Sequence, residues 1–209
     1  MEFFDDVTGA RAMSKVTDEA TWRQAAMMWA FTTLLQADRL REAVGDLNAA
    51  QAEQFFINRR EAGTLPDGWK AHTEREVGDG MSWRVTWTAA ADTYFFLSAA
   101  AQLRKCALEL PSEGLPDVPD EEMIRLLRNF HEHWEDPTGP SATRLLQQVP
   151  DAEPGRVMYT KNDVWFEGVS LEGIENWAFA VQRVLRDNAA AAGEDLPDVG
   201  EGSSFPQSG

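Results

Sequence analysis

Apolar residues recur at helical intervals over most of this chain, and clusters rich in Gly and Pro divide the pattern into segments. Gly45 interrupts the first long segment, and the prolines between Pro111 and Pro119 end a later one. The predicted helices span about residues 17–42, 49–61, 81–110 and 120–136, and a last helix begins after Ser170. The spacing therefore predicts an all-α fold, a helical bundle.

Three shorter features complete the predicted architecture. Residues 141–149 carry a short helical pattern, and residues 156–167 alternate around a polar turn, which predicts a small peripheral β-hairpin. Ser170 is placed to cap the last helix. The composition after residue 192 is typical of a disordered acidic tail. The predicted organisation is one helical domain over residues 1–192 and a flexible tail over 193–209.

The composition indicates whether the chain folds and in which cellular compartment it is expected. Its 209 residues are 43% hydrophobic and 26% charged, which is typical of a folded domain. A single cysteine, Cys106, cannot form an internal disulfide, and its apolar neighbours predict a small buried filler on a helix. The acidic N-terminus does not resemble a signal peptide, and no apolar run approaches membrane-spanning length. We therefore expect a cytoplasmic protein that does not associate with membranes.

The net charge limits how the chain could bind nucleic acid. Nineteen Lys and Arg stand against 35 Asp and Glu, a formal charge of -16. Such a balance opposes binding to long nucleic acid through a broad basic face. Any contact with RNA must therefore be local.

The helix predicted over 120–136 separates its side chains into two arcs. A helical projection places one set on an apolar arc, which should pack into the bundle: Met123, Ile124, Leu126, Leu127, Phe130 and Trp134. The projection places the polar set on the opposite arc: Arg125, Arg128, Asn129, Glu132 and His133. His131 falls at the edge of the apolar arc, where it should pack or hydrogen-bond internally.

The polar arc holds groups suited to phosphodiester chemistry. A His with an ordinary pKa can transfer a proton, and an Arg can hold a phosphate and stabilise developing charge. Arg128 and His133 therefore suggest RNA cleavage without a metal. Cleavage benefits from both an acid and a base, and a two-fold dimer would bring two such pairs together.

The segment Arg128-Asn129-Phe130-His131-Glu132-His133 resembles the signature of the HEPN superfamily, an Arg followed after four to six residues by His, often with a polar residue directly after the Arg. The resemblance implies that Arg128 and His133 are catalytic and that Asn129 supports them. It also implies a helical bundle, a homodimer with both motifs in a shared cleft, and a metal-independent endoribonuclease of toxin or defence type, without a cofactor. An antitoxin or another defence-system protein is an expected partner. Arg125 and Trp134 are the expected substrate contacts.

Two other interpretations of the same residues stay open. The polar arc of Arg128, Asn129 and His133 could be an ordinary solvated helix face with pairs one turn apart. The bundle could also be an inactive HEPN-like binding or regulatory module whose acidic surface contacts a protein partner. A metal site at His131 and His133 is disfavoured, because side chains two residues apart diverge on a helix.

Overall fold

The protein is described by a computed structural model over residues 18–64, 83–133, 136, 138–152, 158–159 and 164–194. Within these ranges the helices are α1 (Glu19–Glu61), α2 (Trp83–Leu108), α3 (Glu121–Glu132), α4 (Pro140–Gln148) and α5 (Leu171–Ala192). A short 3-10 turn, Pro111–Glu113, lies between α2 and α3. The strands are β1 (Met158–Tyr159), β2 (Val164–Phe166) and β3 (Val169–Ser170). The predicted mostly helical fold with a small antiparallel sheet is thus confirmed.

Residues 19–61 form one continuous helix, so the predicted division at Gly45 is wrong. Ala43 and Leu47, on either side of Gly45, are buried in one apolar cluster with Ala89 of α2. A glycine inside a helix costs about 1 kcal/mol relative to alanine. Burying a leucine contributes about 1.5–3 kcal/mol. Packing against α2 therefore offsets the cost of Gly45, and the helix continues past it.

Small residues allow α1 and α2 to pack closely. Ala26, Ala30 and Ala37 of α1 are fully buried, as is Ala100 of α2. Cys106 is also buried in this core, which confirms its prediction as a filler. Burial raises the pKa of the Cys106 thiol to about 11, so the sulfur is protonated at neutral pH.

Charged side chains attach α5 to the rest of the bundle. Arg41 of α1 holds the Glu175 carboxylate with both terminal nitrogens, and Arg41 Nη1 lies 2.8 Å from Glu175 Oε1. The buried Glu113 carboxylate accepts hydrogen bonds from Arg23 of α1 and from Asn188 Nδ2 of α5, the latter at 2.7 Å. Buried carboxylates are costly unless they are paired, so these contacts fix the docking of α5.

The start of α5 follows the prediction. Ser170 Oγ accepts a hydrogen bond from the backbone amide of Gly173 at 2.9 Å, which confirms the predicted N-cap. Gly193 closes the helix with a φ of 70°, in the left-handed region that favours glycine. Residues 195–209 lie outside the described residues, as do residues 65–82 between α1 and α2. The flexible tail therefore stays a prediction.

The sheet contains one more strand than the predicted hairpin. β2 pairs antiparallel with β1 and with β3, in the order β1-β2-β3. Val164, Phe166 and Val169 are buried in the main core. The Phe166 ring lies 5.7 Å from the Phe96 ring of α2, centroid to centroid. Among the described residues, no helix is both long enough and apolar enough to span a membrane.

We expect Gly45→Ala to raise the free energy of unfolding by about 0.5–1 kcal/mol, because it removes a helix-interior glycine. An added Cβ at Gly45 meets no atom within 4 Å. Gly114→Ala is the matched control, because its Cβ also meets nothing within 4 Å but its φ is +64°. That control should lower stability, because L residues are strained there. Urea unfolding measures both, and a destabilising Gly45→Ala would contradict the packing account of α1.

Candidate functional site

The apolar side of α3 anchors the helix in the bundle. Ile124, Leu126, Leu127 and Phe130 are buried in the main core, and Met123 packs partly buried against it. This agrees with the predicted apolar arc, apart from Trp134, which lies outside the described residues. Because these side chains point inward, the remaining side of α3 is turned toward solvent.

The polar side of α3 ends earlier than predicted. The helix stops at Glu132, so the predicted extension to residue 136 is wrong. His133 is the C-terminal cap, with φ −115° and ψ 40°, and its amide still donates to Asn129 O at 3.0 Å. The Asp136 amide then turns back to His133 O at 2.9 Å. Asp136 precedes Pro137, a position that disfavours helical backbone.

Arg128 is held by its own helix. Its Nη1 lies 2.6 Å from Glu132 Oε2, and its Nη2 donates to Glu132 Oε1 at 2.9 Å. Nη1 also donates to Asn129 Oδ1 at 2.9 Å. The guanidinium therefore grips a carboxylate with both terminal nitrogens, the geometry with which Arg also binds a phosphate.

Asn129 connects this group to the next helix. Its Nδ2 donates to Ser141 Oγ of α4 at 3.3 Å, while its Oδ1 accepts from Arg128. Gly139 is the N-cap of α4, and its carbonyl accepts from the Thr143 amide at 2.9 Å. The start of α4 is thereby placed beside the end of α3. Asn129 thus has the contacts of a residue that positions Arg128.

One oxygen of Glu132 lies close to both predicted catalytic groups. Glu132 Oε2 is 2.6 Å from Arg128 Nη1 and 3.9 Å from His133 Nε2. The His133 side chain is 62% exposed, and the side chains of Arg128 and Glu132 are about a third exposed. A negatively charged oxygen at this point therefore contacts a guanidinium, lies 3.9 Å from an imidazole and is partly open to solvent.

His131 behaves as the helical projection predicts. It is half-buried, and its ring meets the edge of the Phe130 ring at 6.3 Å between centroids. Burial lowers the pKa of His131 to about 4, because the charged imidazolium is poorly solvated there. His131 is thus neutral at physiological pH, and His133 is the more accessible of the two histidines.

Arg125 lies one turn before Arg128 and faces a third arginine, Arg144 of α4. The Glu122 carboxylate stands between Arg125 and Arg144, with Glu122 Oε1 at 3.9 Å from Arg125 Nη2 and 3.8 Å from Arg144 Nε. We call the residues along this junction the α3–α4 polar seam: Glu122, Arg125, Arg128, Asn129 and Glu132 of α3 with Ser141 and Arg144 of α4.

The sequence predicts four of the five α3 residues of the seam, all except Glu122, and neither of its α4 residues. Ser141 and Arg144 lie one turn apart on α4, so both can face α3. The helical pattern over 141–149 predicts the helix but not the neighbour against which it packs. The Asn129–Ser141 and Glu122–Arg144 contacts show this pairing.

Comparisons with known proteins identify no relative of this chain. No protein family, no curated protein and no solved structure matches the chain. Over the part of the chain that the structure describes, no group of three or more His, Cys, Asp and Glu side chains could hold a metal ion.

The burial of His131 predicts a pH-dependent stability. Its folded pKa of about 4 lies below the ordinary value of 6.5, so the unfolded chain binds the proton more readily between these values. His131 should therefore reduce stability as the pH falls from 6.5 toward 4. Unfolding by urea at pH 7 and pH 5 should show a smaller loss of stability in His131→Gln than in the wild type. His133→Gln is the matched control, and an identical pH response of His131→Gln and wild type would contradict the assignment.

Proposed function

We propose that this protein is a HEPN-like, metal-independent endoribonuclease of toxin or defence type. The observation that carries the proposal is the position of Glu132 Oε2, which contacts Arg128 Nη1 at 2.6 Å and lies 3.9 Å from His133 Nε2. A carboxylate oxygen and a phosphate oxygen attract the same donors. A phosphate oxygen that replaced Glu132 Oε2 would therefore contact Arg128 and lie near His133, the two groups that the proposed reaction requires.

The proposed reaction uses the 2′-hydroxyl of the RNA as its nucleophile. The 2′-oxygen forms a bond to the adjacent phosphorus, and the bond from phosphorus to the 5′-oxygen breaks, which leaves a cyclic phosphate and a free 5′-hydroxyl. A base takes the proton from the 2′-hydroxyl, and an acid supplies one to the 5′-oxygen. His133 is the proton-transfer group, and Arg128 stabilises the charge that develops on the phosphate. Asn129 holds Arg128 in position through Oδ1.

A second copy of the chain would complete this chemistry. One imidazole cannot act as base and acid in the same step, whereas a two-fold dimer would supply two His133 side chains and two Arg128 side chains. The exposed position of His133 on the polar side of α3 is compatible with such an arrangement. An antitoxin or other defence-system protein could cover the same surface.

RNA cleavage in the presence of EDTA tests the proposal. We expect the wild-type protein to cleave RNA under these conditions. Arg128→Ala and His133→Ala should each reduce the rate by about two orders of magnitude or more, because charge stabilisation and proton transfer contribute that much. His131→Gln and Arg84→Ala are matched controls, since His131 is half-buried with a lowered pKa and Arg84 lies exposed on α2. Both controls should keep the wild-type rate. Equal rates in all four variants would contradict the proposed site.

A second candidate function is an inactive HEPN-like module that binds a protein partner. The engagement of Arg128 favours it, because both terminal nitrogens are already held by Glu132. An arginine that stays paired in this way would stabilise the helix and would not bind a substrate. Absence of cleavage across varied RNAs, with all variants folded as judged by circular dichroism, would favour this second function.

The Glu132 carboxylate should compete with RNA for Arg128. We expect Glu132→Gln to bind a 2′-O-methyl RNA, which cannot react, about two- to fivefold more tightly than the wild type, because a partly exposed ion pair contributes up to about 1 kcal/mol. Glu172→Gln on α5 is the matched control for the change in net charge. Fluorescence anisotropy measures the affinities. Equal gains in the two variants would mean that only net charge had changed.

A further inference from the structure

Arg125 and Arg144 differ from most arginines for which the structure gives an ion pair. Arg39, Arg41, Arg104 and Arg128 each hold a carboxylate at 3.0 Å or less. Arg125 and Arg144 instead share one oxygen of Glu122 at 3.9 and 3.8 Å, beyond hydrogen-bond distance. Their side chains are 41% and 59% exposed. Their guanidinium groups are therefore only loosely held by the carboxylate between them.

The local charge of the seam also differs from that of the whole protein. The α3–α4 polar seam carries three arginines against two glutamates, whereas the chain as a whole has a formal charge of -16. A polyanion is repelled by most of such a protein and attracted where positive charge predominates locally. A phosphate backbone would therefore be attracted to the seam.

Two contacts join α3 and α4 along the seam. Asn129 meets Ser141 at one end of the seam, and Glu122 meets Arg144 at the other. Arg128 lies six positions after Glu122, which is about 9 Å along the helix axis. Arg125 lies between them on the same side of α3. A strand that reaches Arg128 can thus place a neighbouring phosphate against Arg125 and Arg144.

We infer that Arg144 and Arg125 form a second phosphate subsite, which holds the RNA strand next to the phosphate bound at Arg128. This inference rests on the proposed function for the identity of the ligand, single-stranded RNA. Glu122 limits the subsite when no RNA is bound, because it partly neutralises both arginines. Arg144 is a binding residue in this scheme and takes no part in bond cleavage.

The salt dependence of RNA binding tests the subsite directly. Binding of a fluorescent single-stranded 2′-O-methyl RNA is measured by anisotropy between about 50 and about 200 mM KCl, and each phosphate contact to a single strand contributes about 0.7 to the slope of log affinity against log salt. Arg144→Ala should reduce the magnitude of that slope by about 0.7. The ratio of wild-type affinity to Arg144→Ala affinity should therefore fall about 2.6-fold between the lowest and the highest salt concentration. Arg144→Lys should keep the wild-type slope. Arg183→Ala, an exposed arginine on α5, removes the same charge and should also keep it.

A second pair of variants tests the restraining role of Glu122. Glu122→Gln should tighten binding beyond the gain seen in Glu172→Gln, which makes the same change in net charge on α5.

Equal slopes for Arg144→Ala, Arg183→Ala and wild type would overturn the subsite. If Arg128→Ala still abolished cleavage in that case, the nuclease proposal would hold without the second subsite. If Arg144→Ala reduced the slope but the wild type cleaved no RNA, the subsite would be supported and the nuclease proposal would be contradicted. Failure of the wild type to bind the oligonucleotide at low salt would overturn both.

Discussion

The burial of one side of α3 is the constraint on which the candidate site depends. Ile124, Leu127 and Phe130 enter the core, and their removal from water stabilises one rotational setting of the helix. That setting turns Arg128 and Asn129 outward. A rotation by one residue position would bury a guanidinium and expose a phenyl ring, both at high cost. The chemistry of the surface is therefore maintained by packing on the opposite side of the helix.

The bundle supports this helix through a small number of buried polar contacts. Glu113 and Glu175 are buried carboxylates, and each is paired with an arginine of α1. Such pairs add little net stability compared with apolar residues, but breaking one leaves a buried charge without a partner. They therefore select one way of docking α5 on α1, while α1 and α2 pack through buried alanines.

Acidic side chains restrain each part of the candidate site. Glu132 grips Arg128, and Glu122 stands between Arg125 and Arg144. Both carboxylates occupy positions that a phosphate would take in the proposed function, so substrate must displace them. In that proposed function, a protein with a net charge of -16 would bind RNA only where several arginines act together.

Local pattern in the sequence was enough to determine the helices α2, α4 and α5, the two sides of α3 and the Ser170 cap, because each depends on residues within a few positions of one another. It also separated the half-buried His131 from the exposed His133. Tertiary structure alone decided that α1 passes through Gly45, since the burial of Leu47 against α2 outweighs the local preference. It also placed Ser141 and Arg144 beside Asn129 and Glu122. Those contacts join residues 12 and 22 positions apart in sequence, and helical periodicity cannot specify which side of α4 meets α3.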